Sequence, residues 1–185
     1  MAGRLKQIRL FTIGHSNQSF EEFRLLMEEF QIRVIADVRR FPSSRKFPHF
    51  NRETLHDLLD AEGVQYVWFE ALGGLRQKGT DEKSLNVGLK SPAFRNYADH
   101  MMVEEFQDAV QQLLAFGATK TTAIMCAERF FWKCHRRLLS DFLVAQGVAV
   151  EHILEPGNLR HHKLTAGAII TDEGDVIYPE LSLGS

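Results

Sequence analysis

Short apolar runs rich in β-branched residues alternate along this chain with stretches of helical periodicity, and that alternation restricts the fold more than any other feature. The runs fall at residues 8–13, 34–38, 64–69, 121–125 and 148–154. Ser19, with Glu22 three residues on, forms a capping box ahead of the helical stripe Phe20, Phe23, Leu26, Met27 and Phe30. Leu55, Leu58 and Leu59 supply a second stripe closed by Gly63. Residues 94–116 carry a long third one with room for one break before Gly117, and residues 137–146 a fourth before Gly147. Strands alternating with helices give a parallel sheet covered on both faces, because right-handed crossovers return the chain across the sheet. The expected fold is a single three-layer α/β domain over residues 1–185, with a mainly parallel sheet of about five strands. Residues 168–171 and 176–178, around Asp172-Glu173-Gly174-Asp175, read as a short C-terminal hairpin.

A parallel sheet has a functional consequence. Every polar group that directly follows a strand lies on the same edge, where ligands of such sheets bind. That edge collects His15 and Ser16 after the first run, Asp37 and Arg39 at the second, Glu70 and Gly73-Gly74 after the third, and Cys126 and Glu128 after the fourth. Cys134, His135 and Arg136 follow at the expected start of the next helix, whose unpaired N–H groups and dipole favour anions. The polar residues 73–92 read as a long loop, either a cover for the site or a plain surface connection.

Composition sets the limits. The chain is 44% hydrophobic and 25% charged, as in ordinary soluble domains. No apolar run has the length of a membrane span, and residues 1–6 lack the apolar stretch of a signal peptide, so the expected setting is cytoplasmic with no membrane partner. With two cysteines in a reducing compartment, free thiols or metal ligands are expected ahead of a disulfide. A net charge of −2 and a pI near 6.4 exclude a general nucleic-acid coat and confine any polyanion contact to a local patch. The segment from Arg39 to Arg52 is such a patch. It carries Arg39, Arg40, Arg45, Lys46 and Arg52 with Phe41, Phe47 and Phe50 interleaved and no acid, a pattern suited to phosphates and stacked bases. The alternative is a solvated loop anchored by its phenylalanines.

The individual candidates each have two readings. Cys134, placed in a first helical turn beside His135 and Arg136, is either a low-pKa nucleophile or a small packing residue. Cys126, leaving an apolar strand, leans toward packing. Glu128 is a general acid/base, or an ion-pair partner of Arg136 or Arg39; Asp37 has the same ambiguity. His15 after Gly14 is the favoured general base, with a core-satisfied imidazole as the alternative. Zinc binding by Cys126, Cys134, His135 and His15 is disfavoured, because adjacent helical residues point about 100° apart and Cys134 and His135 would not share an ion.

The motifs Thr12-Ile13-Gly14-His15-Ser16, Asp37-Val38-Arg39 with Pro42 and Ser44-Arg45, Leu72-Gly73-Gly74 with Arg76, and Cys126-Ala127-Glu128 with Cys134-His135-Arg136 occur here in one order. In these the chain resembles a widespread bacterial and archaeal family, domain of unknown function 488, over about residues 8–154, leaving 155–185 as an extension. The resemblance implies a compact α/β domain and brings no agreed activity or catalytic assignment. Where many members carry an Asp-Pro-like turn, this chain has Arg129-Phe130-Phe131-Trp132-Lys133.

The expected function is a metal-independent enzyme without cofactor, acting on a phosphate-bearing substrate such as a nucleotide or nucleic-acid component. His15, Asp37, Glu128 and Cys134 are its catalytic candidates. Ser16, Arg39, Arg45, Arg76, Cys126, His135 and Arg136 are its substrate- or anion-binding candidates. The alternative is a non-catalytic nucleotide- or nucleic-acid-binding module, and after it a zinc-binding protein.

Overall fold

A computed structural model describes residues 7–77 and 83–180. Eight strands and five helices follow in chain order: β1 Arg9–Gly14, α1 Phe20–Glu29, β2 Val34–Asp37, α2 Arg52–Ala61, β3 Gln65–Trp68, α3 Pro92–His100, α4 Glu104–Thr119, β4 Thr122–Cys126, α5 Arg136–Ala145, β5 Ala149–Glu155, β6 Asn158–His161, β7 Ile169–Ile170 and β8 Val176–Ile177. Strands β1 to β6 form one sheet in the order β3-β2-β4-β1-β5-β6, parallel except for β6, which runs antiparallel to β5. The hairpin β7–β8 stands apart from it.

The layers follow from the two-residue period of the strands. Leu10, Ala36, Ile124 and Val150 face one side, where they pack with Phe106, Leu113, Leu138 and Phe142 from α4 and α5. Phe11, Ile13, Ile35 and Met125 face the other, against Phe23, Met27, Leu55 and Leu59 of α1 and α2. The capping box forms: the Ser19 hydroxyl accepts from the Glu22 N–H, and the Glu22 carboxylate accepts from the Ser19 N–H at 2.7 Å.

The chain departs from the sequence reading in three places. The polar connection after β5 pairs back as β6, a strand whose residues are all exposed and so carry no apolar signal. The long third stripe takes the one break it had room for, giving α3 and α4, but the second helix runs past Gly117 to Thr119. The expected loop, by contrast, has neither helix nor strand over residues 83–91, and residues 78–82 of it lie outside the described residues. Finally, α5 begins at Arg136 with His135 as its N-cap, so Cys134 precedes the helix, in extended conformation with φ −135° and ψ 155°.

Strand β1 connects through α1 on one face, whereas its neighbour β4 connects through α5 on the other. Between them lies a topological switch point, the place where the loops of an open α/β sheet diverge and leave a crevice. The ladder is carried a little beyond the strands: the His15 N–H donates to Cys126 O and the Ser16 N–H to Ala127 O, both at 2.9 Å. Among the described residues no helix is long and apolar enough to cross a membrane.

Candidate functional site

A cavity of about 730 Å³ opens at the switch point. His15, Ser16, Arg39, Cys126, Glu128, Cys134 and His135 all line it. Asp37 and Arg136 lie directly behind this wall, 0% and 1% exposed. Arg45 and Arg76 are not among the lining residues.

The two sulfurs, Cys126 Sγ and Cys134 Sγ, are 2.8 Å apart, and both thiols are free and buried. Because Cys134 is extended and His135 turns into the helix, their side chains meet: His135 Nδ1 lies 3.5 Å from Cys134 Sγ. This overturns the expectation that the two diverge by a helical step. On its other side His135 Nε2 donates to Val38 O at 3.0 Å, which fixes the proton on Nε2 and leaves Nδ1 to take the Cys134 proton. Cys134 Sγ, His135 Nδ1 and, beyond the ring, Val38 O follow one another in the order that activation of a thiol would need. Tyr97 closes the edge of the imidazole at 5.0 Å, and Gly74 makes the fit possible, since a Cβ there would sit 2.3 Å from Nδ1.

The charges around the sulfurs favour a thiolate. Burial opposes ionisation of Cys134, but the hydrogen bond from Cys126, followed by His135 and Arg136, outweighs it and holds Cys134 well below the usual thiol range. Burial and the neighbouring Cys134 push Cys126 well above that range. Both directions favour a hydrogen bond donated by Cys126 to Cys134. The Arg136 N–H also donates to Cys134 Sγ at 3.4 Å, a helix N-terminal donor satisfied by sulfur.

Arg136 was expected to clamp a substrate anion. It is instead buried, and its guanidinium donates to Thr12 Oγ1, Glu128 O and Arg129 O, tying down the turn after β4. Close passage of that turn depends on Gly14, whose Cβ would strike Glu128 O. Among the described residues no carboxylate pairs with Arg136. Burial alone would lower its pKa; the sulfurs of Cys126 and Cys134 raise it above the usual value, which makes the thiolate its nearest counter-charge.

A buried chain of hydrogen bonds extends from the far side of Arg136. Thr12 Oγ1, which accepts from Arg136, is 2.7 Å from His152 Nδ1; His152 Nε2 is 2.8 Å from His162 Nδ1; His162 Nε2 is 2.8 Å from Asp141 Oδ1. With a single proton on each ring, His162 Nε2 donates to the carboxylate and each member in turn donates toward Asp141. The Tyr178 hydroxyl completes the end, donating to Asp141 Oδ2 at 2.7 Å. None of Asp141, His152, His162 or Tyr178 was a sequence candidate. The available signal was a polar residue inside an apolar pattern, Asp141 between Leu139 and Phe142 and His152 between Val150 and Ile153.

Asp37 and His15 are engaged elsewhere. The Asp37 carboxylate accepts from Arg39 Nε and Nη2, the latter at 2.5 Å, and from the Tyr66 hydroxyl at 2.7 Å. Arg39 Nη1 donates to Phe50 O and approaches His15 Nε2 at 3.3 Å, while His15 Nδ1 bonds Ser16 O at 2.9 Å. Both imidazole nitrogens are occupied, and the ring stacks on Phe50 at 4.1 Å. Burial and then Arg39 lower the His15 pKa to about 4, so the ring is neutral at neutral pH. The geometry makes His15 a wall and brace for Arg39 and leaves it no free nitrogen, whereas His135 has Nδ1 turned to Cys134 Sγ.

The rim is polar and cationic. Arg40, which pairs with Glu70 at 2.8 Å, and Lys46 and Lys133 line the cavity with Ser43, Ser44 and Asn17. Ser16 holds a φ of 50°, a left-handed turn that ends the β1 ladder at the cavity wall. The Glu128 carboxylate is exposed at the rim and makes no ion pair among the described residues; Arg136 takes its backbone oxygen instead. Arg45 is exposed, and Arg76 donates to Gly73 O, Glu70 O and Ala71 O, stapling the turn after β3. Among the described residues no group of three or more His, Cys, Asp or Glu side chains is placed to hold a metal ion.

Fold and site together define an α/β domain with a buried cysteine beside a half-buried histidine at its switch point. The chain belongs to the family described as Domain of unknown function DUF488, whose model matches residues 19–143. No curated protein and no solved structure matches it.

Proposed function

We propose that this protein is a thiol enzyme acting on a phosphate-bearing substrate, a nucleotide or nucleic-acid component, with Cys134 as nucleophile and His135 as its base. The observation that carries the reading is the Cys134–His135 contact beside a buried Arg136 that has no carboxylate partner among the described residues. A buried cation without a carboxylate is costly, and a thiolate at Cys134 relieves that cost. The substrate class rests on the rim, where Lys46, Lys133 and the hydroxyls of Ser43 and Ser44 offer donors to phosphate oxygens, and Phe41, Phe47 and Phe94 offer faces to a base. Glu128 is then the group that meets a substrate amine or hydroxyl. In this reading nucleophile, base and counter-charge are all side chains.

Iodoacetamide labelling across pH, read by peptide mass spectrometry, tests the proposal. Cys134 should react faster than Cys126 in the native protein, with an apparent pKa below the roughly 8.5 of a free thiol. Adenosine monophosphate should slow the reaction by occupying the cavity. Labelling of Cys134 only after unfolding would reject the nucleophile. Fast labelling together with adenosine monophosphate binding but no covalent turnover of any phosphate ester would favour a non-catalytic binding module.

A further inference from the structure

We propose that Cys126 and Cys134 are a peroxide-responsive pair, in which a hydroperoxide oxidises Cys134 and Cys126 closes a reversible disulfide that switches the site off. The proposal uses the Cys134 thiolate of the preceding section but not its substrate. Its basis is geometric. The sulfurs are already in contact at 2.8 Å, although one belongs to the end of β4 and the other to the segment entering α5. Both residues line the cavity while only 3% and 6% exposed, so a molecule as small as hydrogen peroxide fits where a bulky thiol is hindered.

The unequal surroundings divide the labour. Cys134 has His135 Nδ1, the Arg136 N–H and the guanidinium to support a thiolate, whereas Cys126 keeps its proton and faces Glu128 O at 3.8 Å. In the first step the Cys134 thiolate attacks one peroxide oxygen; the S–O bond forms, the O–O bond breaks, and the departing hydroxide takes a proton from His135 to leave as water. In the second, Cys126 sulfur attacks the Cys134 sulfenic acid; the S–S bond forms, the S–O bond breaks, and the Cys126 proton leaves with the hydroxyl as a second water. Two thiols lose two electrons and the peroxide gains them. A small dithiol reverses the change by thiol–disulfide exchange. Oxidation removes the thiolate from beside Arg136, so nucleophile and counter-charge disappear together.

The test uses the full chain, reduced with dithiothreitol, desalted, treated with an equivalent of hydrogen peroxide, quenched with N-ethylmaleimide and mapped by mass spectrometry. The expected product is a Cys126–Cys134 disulfide, lighter by two hydrogens, that dithiothreitol reverses with recovery of fast Cys134 alkylation. In Cys126→Ser the reaction should stop at a Cys134 sulfenic acid captured by dimedone. Should that variant not fold, the unmodified chain oxidised with dimedone present from the start gives the same reading, with the adduct on Cys134. Maleimide on both cysteines after peroxide, or passage of Cys134 to sulfinic acid without a disulfide, would overturn the pair. If reduced Cys134 still alkylates quickly in that case, the proposed nucleophile stands; if it does not, both ideas fall.

Discussion

His135 Nδ1 faces Cys134 Sγ at 3.5 Å while its Nε2 donates to Val38 O at 3.0 Å, so a backbone carbonyl at the end of β2 determines which imidazole nitrogen serves the thiol. The first prediction tests that relationship. His135→Gln removes the Nδ1 base and the charge it can take up. The apparent pKa of Cys134 alkylation should rise toward that of a free thiol, and the reaction at neutral pH should slow. An unchanged pH profile would mean that His135 packs against Tyr97 and does nothing for the sulfur.

Gly74→Ala probes the same contact from a distance. The new Cβ would meet the imidazole at 2.3 Å, and the ring is held between Tyr97 and Val38 O, so it must turn away from Cys134. Alkylation should slow toward the His135→Gln level although His135 is still present. Thermal melting measured in parallel separates this from global unfolding.

Lys46 and Arg45 are adjacent in sequence and different in place, since Lys46 lines the cavity and Arg45 is exposed beyond it. Calorimetric titration with adenosine monophosphate at two salt concentrations should show weaker, less salt-dependent binding for Lys46→Ala. Arg45→Ala should bind as the unmodified chain does. Equal losses in both would place the phosphate outside the cavity.

Stability should fall as the pH drops from about 6.5 toward 4. His15 is lowered to about 4 by burial and Arg39, and His152 to about 2 by burial and His162. In that window the unfolded chain binds more protons than the folded one, so stability is full above the unfolded histidine pKa and is lost on acidification. The His15 part is on the order of 3 kcal/mol when fully titrated. Urea unfolding at several pH values measures the slope, and His15→Gln should flatten it. A slope that His15→Gln leaves intact would assign the acid sensitivity elsewhere.

The sequence by itself determined the layers and the edge. The alternation of apolar runs and helical stripes survives as β1 to β5 and α1 to α5, because period and burial are local consequences of which residues are apolar. Parallel pairing then required the groups after β1, β2 and β4 to share one edge, and the cavity there is lined by His15, Arg39, Cys126 and Glu128. Strand β6 left no trace in the sequence because all its residues face solvent.

Only the tertiary structure decided what each polar group is free to do. Arg39 and Arg136 look alike in the sequence, yet one is neutralised by Asp37, while the other has no carboxylate partner among the described residues and is bound by Thr12 Oγ1 and two backbone carbonyls beside the Cys126 and Cys134 sulfurs. His15 and His135 both follow the edge, but Arg39 and Ser16 O occupy the nitrogens of the first, while the second has Nδ1 turned to Cys134. The difference hangs on one extended residue ahead of α5 and on long-range partners such as Val38, Thr12 and Asp141. A sequence places side chains on an edge; which lone pair or charge remains unmatched is set by contacts between segments far apart in the chain.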